Sequence, residues 1–172
     1  MAVAGTRRDY FAGAAAGALA QALLHAGDPD ECVAVLLGFA GADNPQLTGI
    51  DPLSRSGWYL ILAEAEASRG RLEQALDWAD RARDEAALIG SPRQIGSAQL
   101  ARAYALLPTD PAAAAGCAEA ALKSLTEAAD PIGAGLAHLA LGAACGSADH
   151  FARAGAVFTR CGANLLVARA RP

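Results

Sequence analysis

One spacing recurs four times along this chain and limits what it can fold into. Ala63, Ala75 and Ala82 are separated by 12 and then 7 residues. The same two intervals return at Ala101, Ala113 and Ala120, at Gly142, Ala154 and Cys161, and at Ala20, Cys32 and Phe39. The copies lie 38 to 43 residues apart. In the sharpest copy, Trp58 to Ala86, two helical runs meet at Gly70. Tyr59, Leu62, Ala63 and Glu66 fall at three- and four-residue intervals, and so do Leu72, Ala75, Ala79 and Ala82, which places each set on one helical stripe. Small residues at these positions let two helix axes approach closely. A single hairpin of this kind cannot hide both of its apolar faces, so it must stack on its copies.

Tyr59, Leu62, Ala63, Gly70, Ala75 and Ala82 occupy signature positions of the tetratricopeptide repeat, which the chain resembles. Leu62, Leu100 and Leu141 agree in register, and Tyr104 and Phe158 carry bulk where the pattern expects it. The repeats exceed the usual length of about 34 residues. The expected fold is all-α: an α-solenoid of about four antiparallel hairpins and about eight helices, in one domain over residues 1–172. The repeats span about 8–40, 52–88, 92–128 and 131–169.

Helix starts are legible from capping pairs. Asp28-Pro29, Asp51-Pro52, Ser91-Pro92, Asp110-Pro111 and Asp130-Pro131 each set an N-capping side chain before a proline at the first helical position. The predicted helices cover 8–26, 29–40, 52–69, 72–88, 92–107, 111–128, 131–145 and 149–169. The segment Gly41–Asp51 is long and rich in turn formers, and is expected to lie over one edge of the solenoid, with a disordered linker as the alternative.

Composition narrows the function. Hydrophobic residues make up 53% of the chain and aromatic ones only 5%, so alanine and leucine build the core. The net charge is −4 and Lys123 is the only lysine, which argues against a basic nucleic-acid groove. No apolar run reaches the length of a membrane span. Thr6, Arg7, Arg8, Asp9, Tyr10 and Phe11 with the alanine-rich run after them resemble a twin-arginine export signal. Ala20, Leu23 and Gly27 instead fall in register with the later repeats, which favours a first solenoid helix and a cytoplasmic protein. Cys32, Cys117, Cys145 and Cys161 form no CxxC pair. They are expected on inward positions as small hydrophobes, in a reducing compartment.

Catalytic patterns are not evident. Gly116 precedes Lys123-Ser124 by seven residues in mid-helix, where no phosphate loop forms. No GxSxG elbow occurs. His138 and Cys145 could share a face with Cys161, but a half-buried histidine is the simpler reading of His138, and no metal or cofactor is expected. His25 and His150 close hairpins and are expected to be solvated. Glu64 and Glu66 point to different sides of their helix, which makes them no catalytic pair.

The first helix of each hairpin should line the concave face. By register this points to Gln21, His25, Glu64, Ser68, Arg102 and Ser147 as ligand-facing, with Glu64 and Arg102 as the charged pair that selects a partner's sign. Trp58 is expected in the core, with an exposed anchor as the weaker reading. Leu165, Leu166 and Val167 close the last helix without polar capping, and are expected to pack on another copy or a neighbouring domain.

The run DPLSRSGWYLILAEAEASRGRLEQALDWADRARDEA, with FARAGAVFTRCGANLLVARARP after it, looks like the helical-repeat region of large LuxR-type, ATP-binding transcriptional regulators. In that family this region lies between a nucleotide-binding module and a helix-turn-helix. The resemblance implies a non-enzymatic sensor domain binding a protein, peptide or small effector, with a homodimer or neighbouring domains as further partners. ATP hydrolysis and DNA binding are not implied for this chain itself. The alternative is a small-molecule or metal pocket inside the superhelix, using His138, Arg102 or a cysteine.

Overall fold

Five helices begin where a capping side chain meets a proline. The side chains of Asp28, Asp51, Ser91, Asp110 and Asp130 each accept the backbone N–H three residues on, at 2.9 to 3.5 Å. These bonds satisfy donors that a helix leaves open at its first turn. The computed structural model describes residues 10–41, 44 and 46–171; Arg7 and Arg8 of the export-signal reading lie outside them. The helices are α1 (Tyr10–Ala26), α2 (Pro29–Ala40), α3 (Pro52–Ser68), α4 (Leu72–Ile89), α5 (Pro92–Leu106), α6 (Pro111–Glu127), α7 (Pro131–Cys145), α8 (Ala148–Arg160) and α9 (Asn164–Arg169).

Each helix packs on the next in the chain. In addition α1 packs on α3, α3 on α5, and α5 on α7. The molecule is therefore an all-α solenoid of helical hairpins, with the odd-numbered helices forming one layer. No helix among the described residues is long and apolar enough to cross a membrane. The core divides into two clusters. One joins α1 to α4 with Ala98, Ala101 and Ala105 of α5; the other runs from α5 to α9.

The second helices α4 and α6 bury rows of alanine, and two expected inward positions of the second helices shift. Ala75, Ala79 and Ala82 of α4 are buried as expected, but in α6 the buried row is Ala114, Ala118, Ala121 and Leu125, leaving Ala113 exposed. The Leu107–Asp110 turn carries one residue more than its counterpart at Gly70, which rotates α6 by one position. Cys161 is also exposed, at the C-terminus of α8.

The last predicted helix, 149–169, is two helices. Gly162 adopts a left-handed φ of 69°, a conformation that favours glycine over residues with a Cβ, and the chain turns there before α9. The cysteines divide as well. Cys32 is buried and Cys117 half-buried, whereas Cys145 and Cys161 are exposed, so the expectation of four inward thiols fails for two. Both exposed thiols stand where helices end and the stripe no longer points inward.

The described part of the 41–51 segment is tied in place by Asn44. Its side-chain amide donates to the carbonyls of Ala40 and Thr48 at 3.1 and 2.9 Å, and its carbonyl oxygen accepts from the Thr48 backbone N–H at 3.1 Å. Leu47 is fully buried, and the Tyr59 hydroxyl donates to the Gln46 carbonyl at 3.0 Å. Among its described residues, Leu47 and Ile50 belong to the core.

Candidate functional site

Glu64 sits on α3, in the odd-numbered layer, and is only 6% exposed. A buried carboxylate needs a charged or hydrogen-bonding partner. Its partner comes from the far end of the chain: Arg169 of α9 donates through Nη2 to Glu64 Oε1 at 2.5 Å. The same guanidinium reaches α1, where Nη1 lies 2.7 Å from His25 Nδ1. A guanidinium has only donors, so Nδ1 of His25 is the acceptor and the ring's proton lies on Nε2. That nitrogen is buried without a hydrogen-bond partner.

The electrostatics follow from this burial. The His25 imidazole is lowered to about 4, first by desolvation and then by the Arg169 charge, so it stays neutral at physiological pH. Desolvation raises the Glu64 carboxyl while Arg169 opposes the rise. Tyr104 of α5 is buried nearby; burial and then the Glu64 charge push its phenol upward, and its hydroxyl donates to the Leu136 carbonyl at 3.3 Å. One ion pair, one neutral ring and one phenol thus meet from α1, α3, α5 and α9.

Two cavities flank this cluster. One, of about 290 Å³, opens beside Arg169 between Glu64, Ser68, Tyr104, Leu139 and Phe151. The other, of about 500 Å³, lies between α1 and the α8–α9 turn, against Gln21, His25, Ile132 and Leu165. Of the residues expected to face a ligand, the structure gathers His25, Glu64 and Ser68 around Arg169, while Gln21 lines the neighbouring cavity beside His25.

The remaining three stand elsewhere. Arg102 pairs with Asp80 of α4 at 3.1 Å and lines a separate cavity with Ala79, Ile95 and Cys117. The expected Glu64–Arg102 pair is therefore not formed, because Arg102 extends toward the second-helix layer. Trp58 is 3% exposed, edge-on to Phe39 at 5.7 Å between ring centroids, so it is a core residue and no exposed anchor. Ser147 stands at the N-cap of α8 without a side-chain capping bond.

Further corrections concern the histidines and the last helix, while Glu64 and Glu66 point apart as expected. His25 is half-buried against Arg169, with its Nε2 enclosed, rather than solvated. His150 is half-buried, with Nδ1 2.9 Å from Nδ1 of His138; no group of three metal-ligating side chains gathers among the described residues. Glu66 faces away from Glu64 and pairs with Arg69 at 3.0 Å, which also binds Asp30 at 2.7 Å. Leu166 is buried within the chain and Val167 half-buried, leaving Leu165 exposed at 54%. The last helix covers most of its apolar face by folding back, so the expected need for an external cover is reduced to Leu165.

Arg169 is the residue that reading the sequence missed. The glycine at 162 was its signal, since a helix broken there can turn back across the groove. Comparison with protein families, with curated proteins and with solved structures finds no match for this chain.

Proposed function

We propose that this chain is a non-enzymatic recognition domain of tetratricopeptide-like helical repeats, binding a peptide, protein segment or small effector on its concave face. The observation that carries the reading is the charged cluster of Glu64, Arg169 and His25 beside an open cavity. A solenoid needs no buried ion pair to stack its hairpins, and such pairs are a poor source of stability. A few fixed polar groups in a partly apolar concavity are the usual furniture of a binding site. The resemblance of the Asp51–Ala86 stretch to LuxR-type regulators supports a sensor role, in which occupancy of the groove is passed to neighbouring domains.

The test is direct. A displayed library of random peptides of about twelve residues is panned against the immobilised chain, and selected peptides are measured by fluorescence anisotropy. Ala143→Arg, on the exposed rim of the α7 side of the cavity, should weaken binding at least tenfold. Arg102→Ala, whose side chain turns away to Asp80 of α4, should leave it unchanged. Selected peptides indifferent to Ala143→Arg but sensitive to Arg102→Ala would move recognition off the concave face and overturn the reading.

A further inference from the structure

We propose that the Glu64 carboxylate is a guanidinium-recognition site for a helical partner carrying an apolar-x-x-Arg pattern, and that α9 occupies this site in the free protein as a stand-in for that partner. The proposal rests on the concave-face reading above and adds the chemistry of what binds there.

The two sides of the contact are unequal. Glu64 is carried by a 17-residue helix packed between its neighbours, so its carboxylate cannot leave the groove. Arg169 is carried by a helix of six residues that has no side-chain cap at its start and follows a glycine turn. A helix that short does not persist by its own hydrogen bonds. It packs on α8 and α1 and reaches α3 through Arg169, with Leu166 buried and Val167 half-buried, while Leu165 and Ala168 face solvent. Elements of this kind open at the low end of a protein's stability range.

When α9 lifts, the carboxylate stays on α3 and is free to take a new cation. The geometry specifies which. Arg169 uses two nitrogens of one planar fork to reach two acceptors on different helices, Glu64 on α3 and His25 Nδ1 on α1. A guanidinium presents donors in that fixed spread, and an ammonium does not. Leu166 precedes Arg169 by three residues, which puts both on one helical face. The cavity beside Arg169, walled by Leu139, Phe151 and Tyr104, is left open by α9. A partner helix with a further apolar side chain gains contacts there that α9 does not make, which lets it displace the internal helix.

The test uses the full chain and a fluorescein-labelled peptide of residues 162–171, GANLLVARAR. Chains opened by Arg169→Ala or, separately, by Leu166→Ser should bind the peptide at least tenfold more tightly than the wild type, with circular dichroism checking that each is folded. On the opened chains, alanine in place of the peptide's first arginine should cost at least tenfold, and lysine there should cost severalfold. Glu64→Gln in the chain should cost at least tenfold. In the unaltered chain, excess peptide should speed amide exchange over 164–169. Equal binding by opened and wild-type chains, or equal binding of the alanine peptide, overturns the proposal. Library-selected peptides that lack arginine and ignore Glu64→Gln would overturn it while leaving the concave-face reading intact. Absence of any peptide binding to the opened chains removes both.

Discussion

The ring of Phe158 on α8 occupies the space where Gly135 of α7 has no side chain: a Cβ built at Gly135 would lie 2.5 Å from Phe158 Cε1. Gly96 receives Leu125 in the same manner, with 2.5 Å to Cγ. The α5–α6 and α7–α8 hairpins are thus each locked by one bulky side chain seated on a glycine of the facing helix. Gly135→Ala is expected to destabilise the fold by about 1–3 kcal/mol through overpacking. Gly116→Ala, in mid-α6 with open space around it, is expected to stabilise by about 0.5–1 kcal/mol. Urea denaturation of the two variants measures both signs.

Removing the guanidinium should cost more than removing the pair. Arg169→Ala strands a buried carboxylate, a change that costs about 3–5 kcal/mol in a fully enclosed pair. The arginine side chain is 29% exposed, so water screens the site and the expected loss is about 3 kcal/mol or less. Glu64→Gln combined with Arg169→Ala should be more stable than Arg169→Ala alone. A double-mutant cycle in urea reads the difference, and an additive cycle would show that the two groups do not depend on each other.

His25 gives a pH signature. Its folded value, lowered to about 4 by burial and Arg169, lies below its ordinary 6.5. The unfolded chain therefore binds more protons between these values, and stability is complete above about pH 6.5 and declines as pH falls toward 4. Glu64, raised by burial, works in the opposite sense: its contribution is greatest below its ordinary 4.5 and is lost as pH rises. Proton NMR should find the His25 ring titrating near 4, and Arg169→Ala should move it upward. In denaturation series, His25→Gln should flatten the decline between pH 6.5 and 4.5.

The contact of His138 with His150 admits one proton between the two Nδ1 atoms, since one must donate and the other accept. Burial lowers His138, and the His150 and Arg153 charges add to the effect. Nitrogen NMR should find one of the two rings carrying its proton on Nδ1. Replacing His150 with alanine should return the His138 titration partway toward its ordinary value, burial retaining the rest.

The thiols should separate kinetically. Cys32 is buried, and its thiol is pushed up to about 12 by burial with Glu64, Asp28 and Glu66 adding to it, so it holds almost no thiolate at neutral pH. Alkylation of the folded chain at pH 8 should label Cys145 and Cys161 within minutes and spare Cys32 until denaturant is added. Mass spectrometry of the labelled peptides gives the order.

Local chemistry was the legible part of the fold. The five capping pairs place helix starts at Pro29, Pro52, Pro92, Pro111 and Pro131 because the cap and its target lie within three residues. The register of α4 was equally readable, as Ala75, Ala79 and Ala82 repeat on one stripe. What failed depends on single insertions and on long-range placement. One extra residue in the Leu107–Asp110 turn rotates α6, and a spacing rule that tolerates alanine everywhere cannot detect it. A glycine inside an alanine-rich helical pattern does not announce a break, and the turn at Gly162 hides α9. Register brings Glu64 beside Arg102 of the adjacent hairpin as its candidate cation. The partner that arrives, Arg169, is 105 residues away in the chain, and no periodicity links the two.

The touch of α9 on α1 alters how the whole molecule can move. A row of stacked hairpins stretches and recoils like a coiled spring, because each unit grips only the units beside it. Fastening the last coil to the first adds a chord across that spring, so its curvature is held as long as the buckle is closed. The elasticity of the entire array is thereby governed at one small clasp rather than shared among its joints.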